Sequence, residues 1–435
     1  MKRWTLLLSL MFMALLTCTG FFQSPGAASN AVISGLRRIS ETDSNSLIGY
    51  TLIARTANNK ALPPEKSRAL LMSVKTGEQY EIKLHARLVG AAFSHWLAGQ
   101  IAVVHVSTFW SEICAEYNYR TDEYLFNAST GKFFSPTAGN PIGHFGGLLP
   151  FKVSGESGLL LYNDVGQSVR LYKLHYDDFD PITFSDFGEH GCWAAPTGEL
   201  VACEKFHSSY VEFYDVKTGA LRYTTKGASP LGRGSWSPDG QKFVYLGGTT
   251  HDTSLMLVDL QQKSEKRIGG DVIHRIDPGK GHTCNTDADP QAAPSDKPFA
   301  DAGAGTELGQ WSANGDAYFN SVEVGWGEGL YNRIARIPMS NPSTYTYLTP
   351  EGINARYPAL APRGNSLVCL AISNKNEPGK SLIQIHRVDF NDRGEPLGWH
   401  SISHIDDQHW PALPAWRAES QVQLPENKIP WNSLW

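Results

Sequence analysis

The sequence predicts an all-β chain made of repeated four-stranded sheets, and three observations predict it. First, the composition is that of strands and tight turns: 435 residues hold 41 Gly, 25 Pro and 11% aromatic residues, with few long stretches of helical period. Second, a turn signature recurs. Aligned on its glycine it reads Trp96-Leu-Ala-Gly99, Ser154-Gly-Glu-Ser-Gly158, Ala195-Pro-Thr-Gly198, Ser237-Pro-Asp-Gly240, Ser312-Ala-Asn-Gly315 and Ala361-Pro-Arg-Gly364, at spacings of 59, 40, 42, 75 and 49 residues. Third, the first copy lacks an inner strand and the C-terminus carries a surplus one. Repeats of about 40–50 residues, each a small sheet, build a β-propeller. The expectation is a single propeller of seven four-stranded blades, closed by a C-terminal inner strand in the first blade.

The clearest copy runs from 232 to 260. A short strand ends at Trp236, and Ser237-Pro238-Asp239-Gly240 turns it, proline setting φ near −65° and glycine supplying the positive φ. Phe243–Leu246 then reads as the return strand and Leu255–Val258 as a third. The Trp236-Ser-Pro-Asp-Gly240 core resembles the WD40-like repeat of TolB-type β-propellers. That resemblance covers most of the chain at the level of repeats. It implies the fold and carries almost nothing about activity.

From the N-terminus, Lys2 and Arg3 precede the apolar run Leu6–Leu16, and Gly26-Ala27-Ala28 offers a small-residue cleavage site. Residues 1–28 therefore read as a secretory signal peptide, leaving 29–435 as the propeller and placing the protein in the periplasm, in the cell envelope or outside the cell. An uncleaved anchor and a lipid attachment at Cys18, after Leu15-Leu16-Thr17, are the alternatives; no later stretch is long and apolar enough to span a membrane. Blades are expected at 49–84 with 409–417, 90–135, 149–184, 190–226, 232–269, 308–350 and 355–404. Lys75-Thr-Gly77, Ser129-Thr-Gly131 and Lys217-Thr-Gly219 mark the hairpin before the outermost strand, and Gln261-Gln-Lys263 stands at the same place in the 232–260 copy. Tyr357-Pro-Ala-Leu-Ala-Pro362 and Trp410-Pro-Ala-Leu-Pro-Ala-Trp416 are parallel inner strands, the second completing the first blade. Residues 107–122 extend the second blade, and 271–306 form a long insert. Asp177, Asp178 and Asp180 read as a solvated hairpin ended by Pro181.

Cleavage would remove Cys18 and leave Cys114, Cys192, Cys203, Cys284 and Cys369, an odd number. Cys192 and Cys203 are equidistant from the Pro196-Thr197-Gly198 turn, so a hairpin sets them opposite each other, as a disulfide or as two core cysteines.

A net charge of −5 gives no electrostatic case for nucleic acid. Neither a Gly-x-Ser-x-Gly elbow nor a His-Glu-x-x-His helix occurs. Chemistry, if present, belongs at the mouth of the central channel, where the residues entering each inner strand gather. These are His144, His190, Arg233, Gln310, Arg356 and His409, a set suited to an anion. In the insert, His274, Asp277, His282, Cys284, Asp287 and Asp289 read as a solvated acidic loop in preference to a calcium site. No metal or cofactor is expected. Trp193, Trp236 and Trp311 should pack between blades, while Trp110, Trp326 and Trp399 fall in loops where stacking on sugar rings is open to them. The chain reads as a monomeric exported scaffold binding a protein or ligand. The alternative is an enzyme similar to propeller lyases of the oligogalacturonate class, acting on acidic oligosaccharides with His190 as base and Arg233 stabilising charge.

Overall fold

A computed structural model describes residues 46–54, 67–82, 91–113, 116–134, 144–153, 156–165, 168–175, 178–181, 192–204, 210–226, 234–249, 252–274, 309–324, 331–362, 365–372, 383–417, 424, 429 and 431. Every regular element among them is a strand, and none is a helix long and apolar enough to cross a membrane. Residues 1–28 with Cys18, the insert from 275 on, and His190, Arg233, Cys114, Asp177, Cys284 and Trp326 lie outside the described residues.

The strands pair into seven four-stranded antiparallel sheets. Sheet 1 joins β1 (Leu47–Ala54), β2 (Arg68–Ser73) and β3 (Gln79–Glu81) to the last strand of the chain, β28 (His409–Trp416), which pairs with β1. Sheet 2 is β4 (Ala91–Ala98), β5 (Ile101–Ile113), β6 (Glu116–Asn127) and β7 (Lys132–Phe134). Sheet 3 is β8 (His144–Val153), β9 (Glu156–Val165), β10 (Ser168–His175) and β11 (Asp178–Pro181). Sheet 4 is β12 (Cys192–Ala194), β13 (Leu200–Glu204), β14 (Val211–Asp215) and β15 (Leu221–Thr224). Sheet 5 is β16 (Gly234–Trp236), β17 (Lys242–Thr249), β18 (Asp252–Asp259) and β19 (Ser264–His274). Sheet 6 is β20 (Gln310–Trp311), β21 (Ala317–Val324), β22 (Tyr331–Pro338) and β23 (Thr346–Tyr347); sheet 7 is β24 (Asn354–Leu360), β25 (Ser366–Ile372), β26 (Ile383–Phe390) and β27 (Pro396–Ser401). Each sheet packs on the next in chain order, and sheet 7 packs on β28.

A sheet sandwiched between two others must be apolar on both faces, and the period-2 alternation of a strand shows it residue by residue. In β17, Phe243 and Tyr245 enter the core between sheets 4 and 5, with Phe213 and Trp236, while Val244 and Leu246 enter the core between sheets 5 and 6, with Trp311 and Tyr318. In β1, Ile48, Tyr50 and Leu52 face the core shared with sheet 7, and Leu47 the one shared with sheet 2. Gly49 opens that second face: a Cβ there would stand 2.2 Å from the Phe93 ring, which fills the space.

Several expectations shift. His144 begins β8 instead of preceding a blade that starts at 149, because a bulge between Phe145 and Gly147 absorbs Gly146 within the strand. In sheet 3 Val153 already pairs with Glu156, and Gly158 lies inside β9 opposite Phe151. Asp178–Pro181 is the outer strand β11 and not a solvated hairpin, with Asp180 opposite Lys173. Residues 271–274 belong to β19, so the insert starts later; the strand returns to Ser254 at Ile273 after a break in register at Ile268. Trp399 is no loop residue: it sits in β27 with its indole stacked on the His386 ring, 4.4 Å between centroids. Cys192 and Cys203, opposite each other in register with 4.2 Å between Cα atoms, form a disulfide, and Cys369 is buried in the core.

Candidate functional site

In an antiparallel sheet ordered inner to outer, the first strand enters at one end and both hairpins that follow the first and third strands lie at the other. Each sheet therefore has an entrance end and a turn end.

The turn end is built from short local bonds. Ser237 Oγ accepts from the Lys242 N–H at 2.8 Å and donates to the Lys242 carbonyl at 3.0 Å, while Gly240, at φ +66°, donates to the Ser237 carbonyl at 2.9 Å. Ser312 repeats this with Ala317 and Gly315. In the outer hairpins a carboxylate or amide takes the same part: Asp215 Oδ1 accepts from Thr218 N–H, Asn127 Oδ1 from Ser129 and Thr130, and Asp259 Oδ1 from Gln262. Lys263 occupies the glycine position of that last turn at φ +48°. Burial pushes the Asp215 carboxyl up, yet hydrogen bonds from Arg222 and Thr218 outweigh it and hold the group below the usual carboxylate range. The two hairpins are tied together by one backbone bond that recurs sheet after sheet, such as Val74 N–H to Ser46 O, Val216 to Glu199, Leu260 to Gln241 and Met339 to Asp316. Near this end, indoles also latch neighbouring sheets. Trp96 Nε1 donates to Ala415 O, Trp236 to Trp193 O and Trp311 to Ser235 O, at 3.1, 2.9 and 3.1 Å.

The residues expected to form an anion ring at the entrance end are differently placed. Gln310 opens β20, but its Oε1 accepts from the Leu360 N–H of sheet 7 at 2.9 Å and so joins two sheets. Arg356 is the third residue of β24, not its entrance; with the Asn332 amide turned to face it, Asn332 Oδ1 accepts from Nε at 3.0 Å and Nη2 at 2.7 Å. His409 opens β28. Its Nδ1 lies 2.6 Å from Asp406 Oδ1 and its Nε2 3.3 Å from Arg68 Nη2, and Arg68 Nη1 stands 3.6 Å from Glu81. A guanidinium only donates, so Nε2 is the acceptor and the imidazole proton sits on Nδ1, directed at Asp406. Burial pushes the Asp406 carboxyl up, but the His409 hydrogen bond, the Gln408 N–H and the charge of Arg68 bring it below its usual value. His144 is placed at the start of β8, and His190 and Arg233 lie outside the described residues. The structure thus joins Gln310, Arg356 and His409 to partners on neighbouring strands and sheets.

Those partners were invisible locally. Arg68 lies 341 positions from His409 in the chain. Only Asp406, three residues ahead of His409, left a signal in the sequence. Among the described residues no group of three or more His, Cys, Asp or Glu is placed to hold a metal ion.

No family model matches the chain, and no curated protein does. Solved structures do. A hypothetical selenium-binding protein from Sulfolobus tokodaii aligns at a TM-score of 0.50 and 10% identity, over 87% of this chain and 95% of that one. The chain is a β-propeller. TolB from Acinetobacter baumannii aligns at 0.41 and 15% identity over 71% of this chain, which spans 65% of the TolB length. The propeller domain of Myceliophteria thermophila Cps50 (Swd1) aligns at 0.46 and 8% identity, over 78% and 96% of the two chains. The resemblance to TolB-type and WD40 propellers is one of fold alone.

Proposed function

We propose that this propeller is an exported scaffold that binds a protein partner, built as a ring of seven blades that β28 closes. One observation carries the scaffold reading: of the six expected anion-ring residues, Gln310, Arg356 and His409 are engaged in joining strands and sheets. Gln310 and Arg356 bridge sheets 6 and 7, and His409 ties the start of β28 to β2 through Arg68. A general base needs a free lone pair within about 2.6–3.2 Å of the proton it removes. The Nε2 lone pair of His409 faces Arg68 instead. The ring reading draws support from β28, which pairs with β1 on one side and packs on sheet 7 on the other. Export draws support from the Cys192–Cys203 disulfide, because such bonds persist in oxidising compartments.

The test sets the scaffold against a lyase. Purified protein incubated with polygalacturonate and followed in the ultraviolet for the unsaturated product should give no signal above buffer. A signal that disappears in His409→Ala, in a variant that still melts cooperatively, would overturn the scaffold reading. Mass spectrometry of the protein recovered from cell fractions should find the chain starting near residue 29, with Cys192 and Cys203 protected from alkylation until reduced.

A further inference from the structure

Sheet 2 departs from the pattern of the others at its entrance end. Its second strand, β5, is 13 residues long and pairs with β6 along its whole length, out to Ile113 opposite Glu116. The flanking strands stop far sooner. β4 accompanies β5 only as far as Val106, and β7 accompanies β6 only over Leu125–Asn127. Residues 107–113 and 116–121 therefore run on as a two-stranded ribbon with no third strand among the described residues, a reach of about 23 Å at about 3.3 Å per residue.

Such a ribbon is an incomplete sheet. Two strands alone are marginally stable in water, and each unpaired edge is a row of N–H and C=O groups ready to pair with another chain. The register sorts its residues. Phe109 stands opposite Tyr119, and Glu112 opposite Tyr117, which places Phe109, Tyr117 and Tyr119 on one face, with Trp110 at the bulge between Phe109 and Ser111. Over 107–123 the charged residues are Glu112, Glu116, Asp122 and Glu123 against Arg120, a net of −3; Asp122 and Glu123 lie on β6 just beyond the ribbon, before β7 begins to pair with it.

We infer that this ribbon is a docking edge for an extended, lysine- or arginine-bearing segment of a partner protein, which adds as a third strand. The inference rests on the scaffold reading above and names its partner chemistry. Strand addition supplies backbone hydrogen bonds with little demand on sequence. Cationic side chains on the incoming strand meet the carboxylates, and they also suit the faces of tyrosine and tryptophan. An acidic oligosaccharide has neither a backbone to pair nor the right charge, and the net −3 repels it.

The probes are two short synthetic peptides, one alternating valine with lysine and one alternating valine with glutamate, titrated against the whole purified protein. The lysine peptide should bind, weakening as salt rises from about 50 to about 300 mM, and the glutamate peptide should not. Hydrogen exchange on the unaltered protein should show slowed amides in 107–113 and 116–124 when the lysine peptide is present. A variant carrying Glu112→Gln, Glu116→Gln, Asp122→Asn and Glu123→Gln, with an unchanged melt, should bind it about tenfold more weakly. No binding, equal binding of both peptides, or slowed exchange confined to other strands overturns the ribbon as the site. Those outcomes leave the lyase assay unaffected, whereas a positive lyase assay removes the scaffold reading whatever the peptides do.

Discussion

Two kinds of bond hold the blades, and the difference separates what local sequence dictates from what it does not. At the turn end each hairpin is closed by a side chain two to five residues away: Ser237 with Lys242, Asp215 with Thr218, Asn127 with Thr130. Between strands and sheets the bonds are long in sequence, Gln310 to Leu360 and His409 to Arg68, with 50 and 341 positions between partners. Short-range bonds form wherever the turn forms, so they specify each blade independently. Long-range bonds exist only once the strands they join have come together, so they report the assembled fold.

Removing everything from Asp406 onward should break this comparison most severely, because β28 contributes to both ends. It buries Trp410 and Trp416, 2% and 6% exposed, and it carries His409 at the entrance end. The two tryptophans alone are worth roughly 3–6 kcal/mol, a large part of the 5–15 kcal/mol that holds a typical domain together. The cooperative melt should be lost. A truncated chain that melts like the full one would mean that β28 does not close the ring.

Trp236→Ala should cost about 3–5 kcal/mol in chemical denaturation, since it removes a buried indole packed edge-on to Phe213 and Phe243 together with its bond to Trp193 O. Gln310→Ala, in the neighbouring blade, removes one acceptor and should cost about 1–3 kcal/mol. Equal losses would place the inter-blade adhesion in polar bonds and not in the indole packing.

Acid should separate the two ends from the sheet interior by pH. Burial pushes the His386 imidazole, stacked on Trp399, down to about 4 from 6.5. The folded protein thus refuses a proton that the unfolded chain accepts between those values. Stability from this group is complete above pH 6.5, falls as pH drops toward 4, and then levels off, a loss of about 3 kcal/mol. The carboxyls of Asp215, Asp239 and Asp406 have folded pKa values below 3.8, so their contribution stays until the pH falls below that. His386→Gln should remove the first window and leave the second. A stability curve unchanged by that substitution between pH 6.5 and 4 would show that His386 is protonated in the fold.

The smallest effect distinguishes turns that touch a neighbour from turns that do not. Gly77 and Gly240 both hold a positive φ, so an alanine is strained at either by about 1–2 kcal/mol. A Cβ at Gly77 would meet nothing within 4 Å, whereas one at Gly240 would stand 2.9 Å from Thr197 Oγ1 of the preceding blade. Thermal denaturation should find Gly240→Ala the more damaging of the two. Equal shifts would show that the inner turns do not press on one another.

Much of this architecture was legible because it repeats. Trp236-Ser-Pro-Asp-Gly240 states its strand end, its turn and its packing partner within five residues, and the later outer hairpins follow the same local rules. Even Lys263, a poor choice for positive φ, was readable as the counterpart of Gly77 and Gly219 by position. Sheet 3 was harder to place. Gly146, Gly147 and Pro150 weaken the strand signal of β8, and only pairing with β9 makes a strand of them.

By itself the sequence determined the all-β class, the position of most turns and the facing of Cys192 and Cys203, since each depends on residues a few positions apart and on the period of two in a strand. Tertiary structure alone decided that Cys192 and Cys203 are joined, that Gln310 and Arg356 tie one sheet to the next, and that His409 meets Arg68 within the first. The reason is physical: a hydrogen-bonding side chain carries its chemistry in its identity, but its partner is chosen by whichever group the packed sheets bring within 3 Å, and no local pattern records that choice.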